Sequence, residues 1–230
     1  MLPFEDETAR ELATLVARNR PRVHVLTNPV AQAVTANALV AMGAEPSMSA
    51  HPHDILPLAK AAGALAINLG MLEPQREAAI EALLGALDQL SCPIVLDPVL
   101  ADRVPFRAEL AARFFRYPRL IVKGNAREMA ALGPKFPAHI LAVVTAAEDR
   151  IGDRFSVAGG HPLLARFSGS GCLAGALIAA FAAIEPEPIR AAGAALSTLR
   201  RAAARAGEKA GGPGTFVPLL LDALAEASEV

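Results

Sequence analysis

Four groups of polar residues stand where short apolar runs end, and each carries a side chain with chemistry to offer. The run PIVLDPV delivers Asp97 just behind its last apolar residues; LIVKGN delivers Lys123 and Asn125, with Glu128 one helical turn later. Two carboxylates at neighbouring run ends suit Mg²⁺, which is held by one or two carboxylates, by water and by substrate phosphates. The same residue types also serve plain structural ends, Asp97 as a turn cap before Pro98 and Glu128 as an acid in a helix's first turn.

The third group is Phe167-Ser168-Gly169-Ser170-Gly171-Cys172, followed at once by LAGALIAAF. Glycines let the backbone turn tightly and aim successive N–H groups at one point, while the following helix adds the positive end of its dipole. That makes an anion hole, and phosphoryl transfer depends on positioning and on stabilising charge spread over phosphate oxygens. The loop lacks the lysine of a P-loop, and its alternative is an ordinary Gly/Ser turn opening a buried helix. Cys172 falls in the helix's first turn, where the dipole is expected to favour thiolate and lower the thiol pKa. A side chain that holds negative charge there can accept the proton of a substrate hydroxyl. The alternative for Cys172 is a small buried hydrophobe, which is the reading adopted for Cys92 before Pro93.

The fourth group combines VHVLTNPV with GAEPSM. Asn28 can hydrogen-bond a small heterocycle and Met48 can form an adaptable apolar wall, beside plainer roles in a turn and in the core. His51-Pro52-His53 has no further ligands at zinc spacing and reads as a solvated loop. His161 in GGHPL reads as a turn residue.

The elements that must position these groups follow from apolar periodicity. ALAINLG (64–70), CPIVLDPV (92–99), RLIVKGN (119–125) and HILAVVT (139–145) read as buried strands, as does RVHVLTN; RFSVAGG reads as an antiparallel edge strand. Segments 31–42, 73–90, 107–115 and 126–132 read as helices between them, and three Ala-rich helices follow at about 172–184, 187–209 and 216–228. The alternation predicts one α/β domain over 1–230, a mostly parallel sheet with helices on both faces. Ligands in such a fold bind outside the carboxyl ends of the strands, which is where the four groups fall.

Composition narrows the function classes. A net charge of -1 with scattered Lys and Arg excludes the basic footprint of a nucleic-acid partner. No apolar run approaches the roughly 20 residues of a membrane span, and the N-terminus lacks the pattern of a signal peptide. Two distant cysteines fit free thiols in a reducing cytoplasm.

In order and spacing the motifs resemble the hydroxyethylthiazole kinase family across nearly the whole chain. VHVLTNPVAQAVTANALVAMGAEPSM is similar to the family's opening signature, and AINLG, VLDPV, KGNAREM, VVT, GGHPLL, SGSGC and GPGTFVPLLLDAL follow in its order. The resemblance implies a ribokinase-like three-layer α/β/α fold and ATP and Mg²⁺ as cofactors. The implied reaction is phosphorylation of the hydroxyl of 4-methyl-5-(2-hydroxyethyl)thiazole for thiamine biosynthesis, with a homotrimer sharing the thiazole pocket between subunits. Carried over by position, it implies substrate contacts at Met48, Gly169 and Asn28, nucleotide contacts at Lys123, Thr145, Ser170 and Gly171, Mg²⁺ at Asp97 and Glu128, and Cys172 as catalytic base. The chain departs from the family where nucleotide is expected: DPVLAD puts Leu100 and Asp102 at glycine positions, Lys123 stands for an arginine, and Ala146-Ala147 replaces Gly-Glu. The connection between Met129 and Ile140 is short, which predicts a curtailed helix. A non-catalytic thiazole- or thiamine-binding paralogue that has lost efficient ATP binding, and a related small-vitamin kinase, are the alternative functions.

Overall fold

The computed structural model describes residues 1–133 and 136–228. Apolar runs too short for helices become the strands β1 (Leu2–Pro3), β2 (Arg22–Leu26), β3 (Glu45–Ser47), β4 (Ala64–Asn68), β5 (Ile94–Asp97), β6 (Leu120–Gly124), β7 (Leu141–Val144), β8 (Asp149–Ile151) and β9 (Phe155–Val157). They form one sheet in the order β1-β9-β8-β7-β6-β5-β4-β2-β3. β3 through β7 pair in parallel across β2, β4, β5 and β6, while β8 runs antiparallel to both β7 and β9. β4 and β5, apolar up to their last residues Asn68 and Asp97, are buried on both faces, as strands inside a parallel sheet must be.

The helices are α1 (Asp6–Asn19), α2 (Pro29–Ala41), α3 (Pro52–Ala61), α4 (Pro74–Gly85), α5 (Pro105–Ala112), α6 (Ala126–Ala131), α7 (Ser170–Ala182), α8 (Pro188–Lys209) and α9 (Pro213–Ser228). Proline opens six of them, a position where its fixed φ suits the helix and its missing N–H costs nothing. One core gathers α1, α2, α7, α8 and α9 on one face of the sheet, and a second gathers α3, α4 and α5 on the other. The result is the expected three-layer α/β/α arrangement. α7 is buried at every position from Leu173 to Ala182 and lies directly on β2, β4 and β5, so its small side chains set how closely the helix approaches the sheet.

Several elements differ from the sequence reading. β9 does pair antiparallel with β8, but it is not the edge, because β1 adds beside it in parallel: Leu2 N–H donates to the Arg154 carbonyl and Phe4 N–H to that of Ser156, both at 2.9 Å. His51-Pro52-His53 opens helix α3 rather than forming a loop, with the His51 ring accepting from the His53 N–H at 3.3 Å. β3, β8 and α3 carry too little periodic apolar character to be seen in the sequence. α6 is curtailed to six residues, and β7 begins at Leu141; within the short connection, Pro134 and Lys135 lie outside the described residues. Among the described residues no helix is long and apolar enough to cross a membrane.

Candidate active site

Register brings the polar strand ends together. Asn68 pairs with Asp97 in the β4–β5 ladder, and β6 beside β5 delivers Lys123, so three polar residues close three adjacent strands at one rim. α7 arrives above them by its N-terminus. Its cap, Gly169, has φ +97, and a Cβ there would stand 3.2 Å from both Ala31 and Val34 of α2. Only glycine satisfies both the left-handed backbone and the close helix contact.

Cys172, in the first turn of α7, is half-buried among these strand ends. Its Sγ lies 3.2 Å from Asn68 Nδ2 and 3.5 Å from Asn28 Nδ2. The buried Thr27 hydroxyl also faces it, and Thr27 Oγ1 has no hydrogen-bond partner among the described residues. The expectation of a lowered thiol pKa is corrected: loss of water on burial, and next the charge of Asp97, push it up, against the opposing pull of Lys123, Thr27 and Asn28. Desolvation is the largest of these influences. The thiolate is therefore rarer than predicted, and a stronger base when formed.

Asn68 was not singled out from sequence, yet it is the hub of the cluster. Its Nδ2 donates to Asp97 Oδ2 at 3.3 Å as well as to Cys172, while its Oδ1 accepts from Gly70 N–H at 2.9 Å and Asn28 Nδ2 at 3.3 Å. It closes an apolar run in the same way as Asp97, and that rule applied to ALAINLG would have found it.

Both oxygens of Asp97 accept hydrogen bonds. Oδ1 accepts from Val99 N–H at 3.3 Å, and Oδ2 accepts from Lys123 Nζ at 2.8 Å. Lys123 also donates to the Gly171 carbonyl at 3.0 Å, so one buried ammonium ties the strand end to the loop. Burial by itself would depress the Lys123 pKa, but Asp97, with Cys172 and Glu128 behind it, raises it overall, and the side chain stays charged. Glu128 completes a capping box with Asn125: its Oε2 accepts from Asn125 N–H at 2.8 Å, and Asn125 Oδ1 accepts from Glu128 N–H at 3.0 Å. Glu128 Oε1 reaches across to accept from Leu100 N–H at 2.8 Å. The structural alternatives for both carboxylates are thus realised, and each keeps a spare lone pair at the rim.

A cavity of about 610 Å³ opens on the other side of the loop, lined by Thr145, Ser170, Gly171 and Ala174, and across it by His161, Leu196 and Arg200. Arg200 there forms a bidentate pair with buried Asp149, Nε to Oδ2 at 2.8 Å and Nη2 to Oδ1 at 2.7 Å, and binds the carbonyls of Ala146 and Gly159. This pair was also absent from the sequence reading. Of the residues predicted to hold nucleotide, Thr145, Ser170 and Gly171 line the cavity, whereas Lys123 lies beneath the loop. Ala146 and Ala147 also line the cavity.

Leu100 adopts φ +59 with its side chain 41% exposed, so the glycine-like backbone persists without the glycine. Asp102 pairs weakly with Arg103 at 3.8 Å. Met48 follows β3, half-buried against the α1/α2/α7 core, beside the Ser47 hydroxyl that bonds His24 at 2.8 Å. Asn28 caps α2 by accepting from Ala31 N–H at 3.2 Å and turns its amide nitrogen to Cys172. Cys92 is buried, as read.

No cluster of three or more metal-ligating side chains is found among the described residues. Asp97 and Glu128 fit Mg²⁺ held chiefly by phosphates and water, because direct ligation at Asp97 Oδ2 would have to displace the Lys123 ammonium.

A sequence model described as the hydroxyethylthiazole kinase family matches residues 13–136 and 134–229, the two segments meeting in the short connection after α6. A protein of Agrobacterium fabrum named probable hydroxyethylthiazole kinase is 37% identical over 223 residues, covering 96% of this chain and 90% of its own. The structure of a hydroxyethylthiazole kinase protein from Pyrococcus horikoshii superposes with a TM-score of 0.88 at 35% identity, covering 97% of this chain and 94% of that one. A ribokinase-like superfamily protein of Enterococcus faecalis, at 14% identity and a TM-score of 0.70 over 99% of this chain and 96% of its own, shares the fold.

Proposed function

The chain belongs to the hydroxyethylthiazole kinase family, and from that premise we propose that it phosphorylates 4-methyl-5-(2-hydroxyethyl)thiazole with ATP and Mg²⁺ in the supply of thiamine. One observation carries the reading: the N-terminus of α7 has the Cys172 thiol and its donors on one side and the 610 Å³ cavity on the other, with Ser170 and Gly171 between. Nucleotide in that cavity would bring its terminal phosphate to the first-turn N–H groups of α7, which have no acceptor within the helix. The alcohol would lie against Thr27, Asn28 and Cys172.

In the reaction, the thiazole's hydroxyl oxygen attacks the terminal phosphorus, the bond to the bridging oxygen breaks, and ADP leaves with that electron pair. Cys172 Sγ, as thiolate, takes the hydroxyl proton. Asn28 and Asn68 hold the sulfur, and Lys123 keeps the loop seated on Asp97. Asp97 and Glu128 would be the residues to hold Mg²⁺, which when bound would supply neutralisation of phosphate charge. Met48 and Gly169 are read as substrate contacts, and Thr145, Ser170 and Gly171 as nucleotide contacts.

The chain is further read as one domain over 1–230 and as a cytoplasmic homotrimer. β3 is an edge strand with Met48 at its end, which suits a pocket completed by a neighbouring subunit. Purified protein with Mg-ATP and the thiazole alcohol is expected to release ADP and the thiazole phosphate in equal amounts, and light scattering is expected to give three times the chain mass. Failure to form the phosphate across pH and metal conditions would end the kinase reading.

A further inference from the structure

The orientation of the two amides beside Cys172 is fixed by atoms that have no choice. A backbone N–H can only donate, so the Asn68 atom that meets Gly70 N–H at 2.9 Å must be oxygen, and the Asn28 atom that meets Ala31 N–H at 3.2 Å must be oxygen too. Both NH₂ groups are thereby turned to the sulfur. Asn68 has no capacity left over, since its two N–H bonds go to Cys172 and Asp97 and its two lone pairs to Gly70 and Asn28.

That geometry depends on the turn Asn68–Met71, and the turn has an unusual support. Met71 is in the left-handed region at φ +47, a strained state for a side chain with a Cβ. Arg76, from the first turn of α4, is only 3% exposed and sends its guanidinium into the turn. Nη1 donates to the Gly70 carbonyl and to that of Met71, the latter at 2.7 Å, and Nη2 donates to the carbonyl of Asn68 itself. Three carbonyls converge on one planar cation that forms no ion pair with a neighbouring carboxylate within 4.0 Å among the described residues. An arginine buried in this way is costly unless its position does something the fold needs.

We propose that Asn68 is the donor that holds the Cys172 sulfur for proton transfer, and that Arg76 is the positioning residue that fixes Asn68 by clamping the Asn68–Met71 turn. The role assigned to Cys172 rests on the kinase reading, but the test does not. The rate of Cys172 alkylation by iodoacetamide, followed by peptide mass spectrometry at one pH without nucleotide, reports the sulfur's state directly. Asn68→Ala is expected to slow it about threefold, a lost hydrogen bond to the thiolate being partly offset by the higher nucleophilicity of a more basic sulfur.

Asn68→Asp separates positioning from mere turn building. It keeps an oxygen for Gly70 N–H and so preserves the turn, but presents a second oxygen, rather than N–H, to the sulfur; alkylation is expected to slow by roughly tenfold. Arg76→Lys, which cannot span three carbonyls, should fall between wild type and Asn68→Ala, and Arg76→Met should match Asn68→Ala. If Arg76→Met does not fold, the lysine variant carries that half of the test. Asn68→Asp reacting at the wild-type rate would overturn the donor role, and Arg76→Lys doing so would overturn the clamp. A flat series in an enzyme that turns over sinks the inference alone. An inactive wild type with the expected series sinks the kinase reading alone.

Discussion

On the thiol side of the Ser170–Gly171 turn, Asn68, Asp97, Lys123 and Cys172 each have at least two polar partners within 3.5 Å, whereas the cavity on the other side is walled mainly by alanine, leucine and glycine. The one charged pair there, Asp149 with Arg200, neutralises itself. Networks whose members are all satisfied hold a single geometry. Small apolar walls with exposed backbone set a shape and leave details free. The side where bonds are made is therefore rigid, and the side that takes a large, flexible co-substrate is permissive. This explains how the chain carries Leu100, Ala146 and Ala147 in the nucleotide region while the donors around Cys172 remain complete.

The comparison breaks most visibly at the thiol. Cys172→Ala removes the proton acceptor and is expected to lower kcat by about 10³-fold, within the range for a positioned base, with the KM for ATP nearly unchanged; steady-state kinetics with ADP detection reads both. A KM that rises instead would mean the two sides are not separate. Arg200→Ala should do the reverse. Stranding buried Asp149 is expected to cost about 3 kcal/mol in a urea unfolding curve and to raise the KM for ATP, while Cys172 alkylates at the wild-type rate.

Acid should loosen the thiol side through His24, which lies on β2 ahead of Thr27 and Asn28. Burial pushes its pKa down to about 4, and its Nε2 has no partner among the described residues. The unfolded chain binds this proton below about pH 6.5, where the folded chain does not, so stability rises with pH between about 4 and 6.5. From pH 7 to pH 5 the loss is about 2 kcal/mol, measured as a fall in urea midpoint that His24→Gln should largely abolish. The smallest effect concerns the rim between the two sides. Leu100→Asn suits φ +59 better and surrenders only exposed apolar surface, so a gain of about 0.5 kcal/mol in thermal or urea unfolding is expected.

The parts of this architecture readable from sequence are those written in periodic apolar residues. β4, β5, β6 and α7 are continuous apolar runs with polar ends, and the rule that ligands collect at strand termini led to Asp97, Lys123, Glu128 and Cys172. β1, β3 and β8 are two or three residues long and owe their existence to neighbours, so no window of sequence contains them. The site shows the same division. Asn68 lay within reach of the strand-end rule, but Arg76 and Arg200 look like ordinary solvated charges on amphipathic helices, and only packing reveals that each is drawn inward by backbone carbonyls. The thiol pKa misled for a related reason: a helix terminus can be read from sequence, but the water lost around it cannot.

Gly169 has a mechanical meaning beyond its dihedral angle. By seating the start of α7 directly on Ala31 and Val34, it joins the anion loop to the same helix whose cap is Asn28. Any tilt of α2 would then carry the amide and the loop as one body, so distortions arriving from the sheet edge move both reaction partners in step instead of pulling them apart.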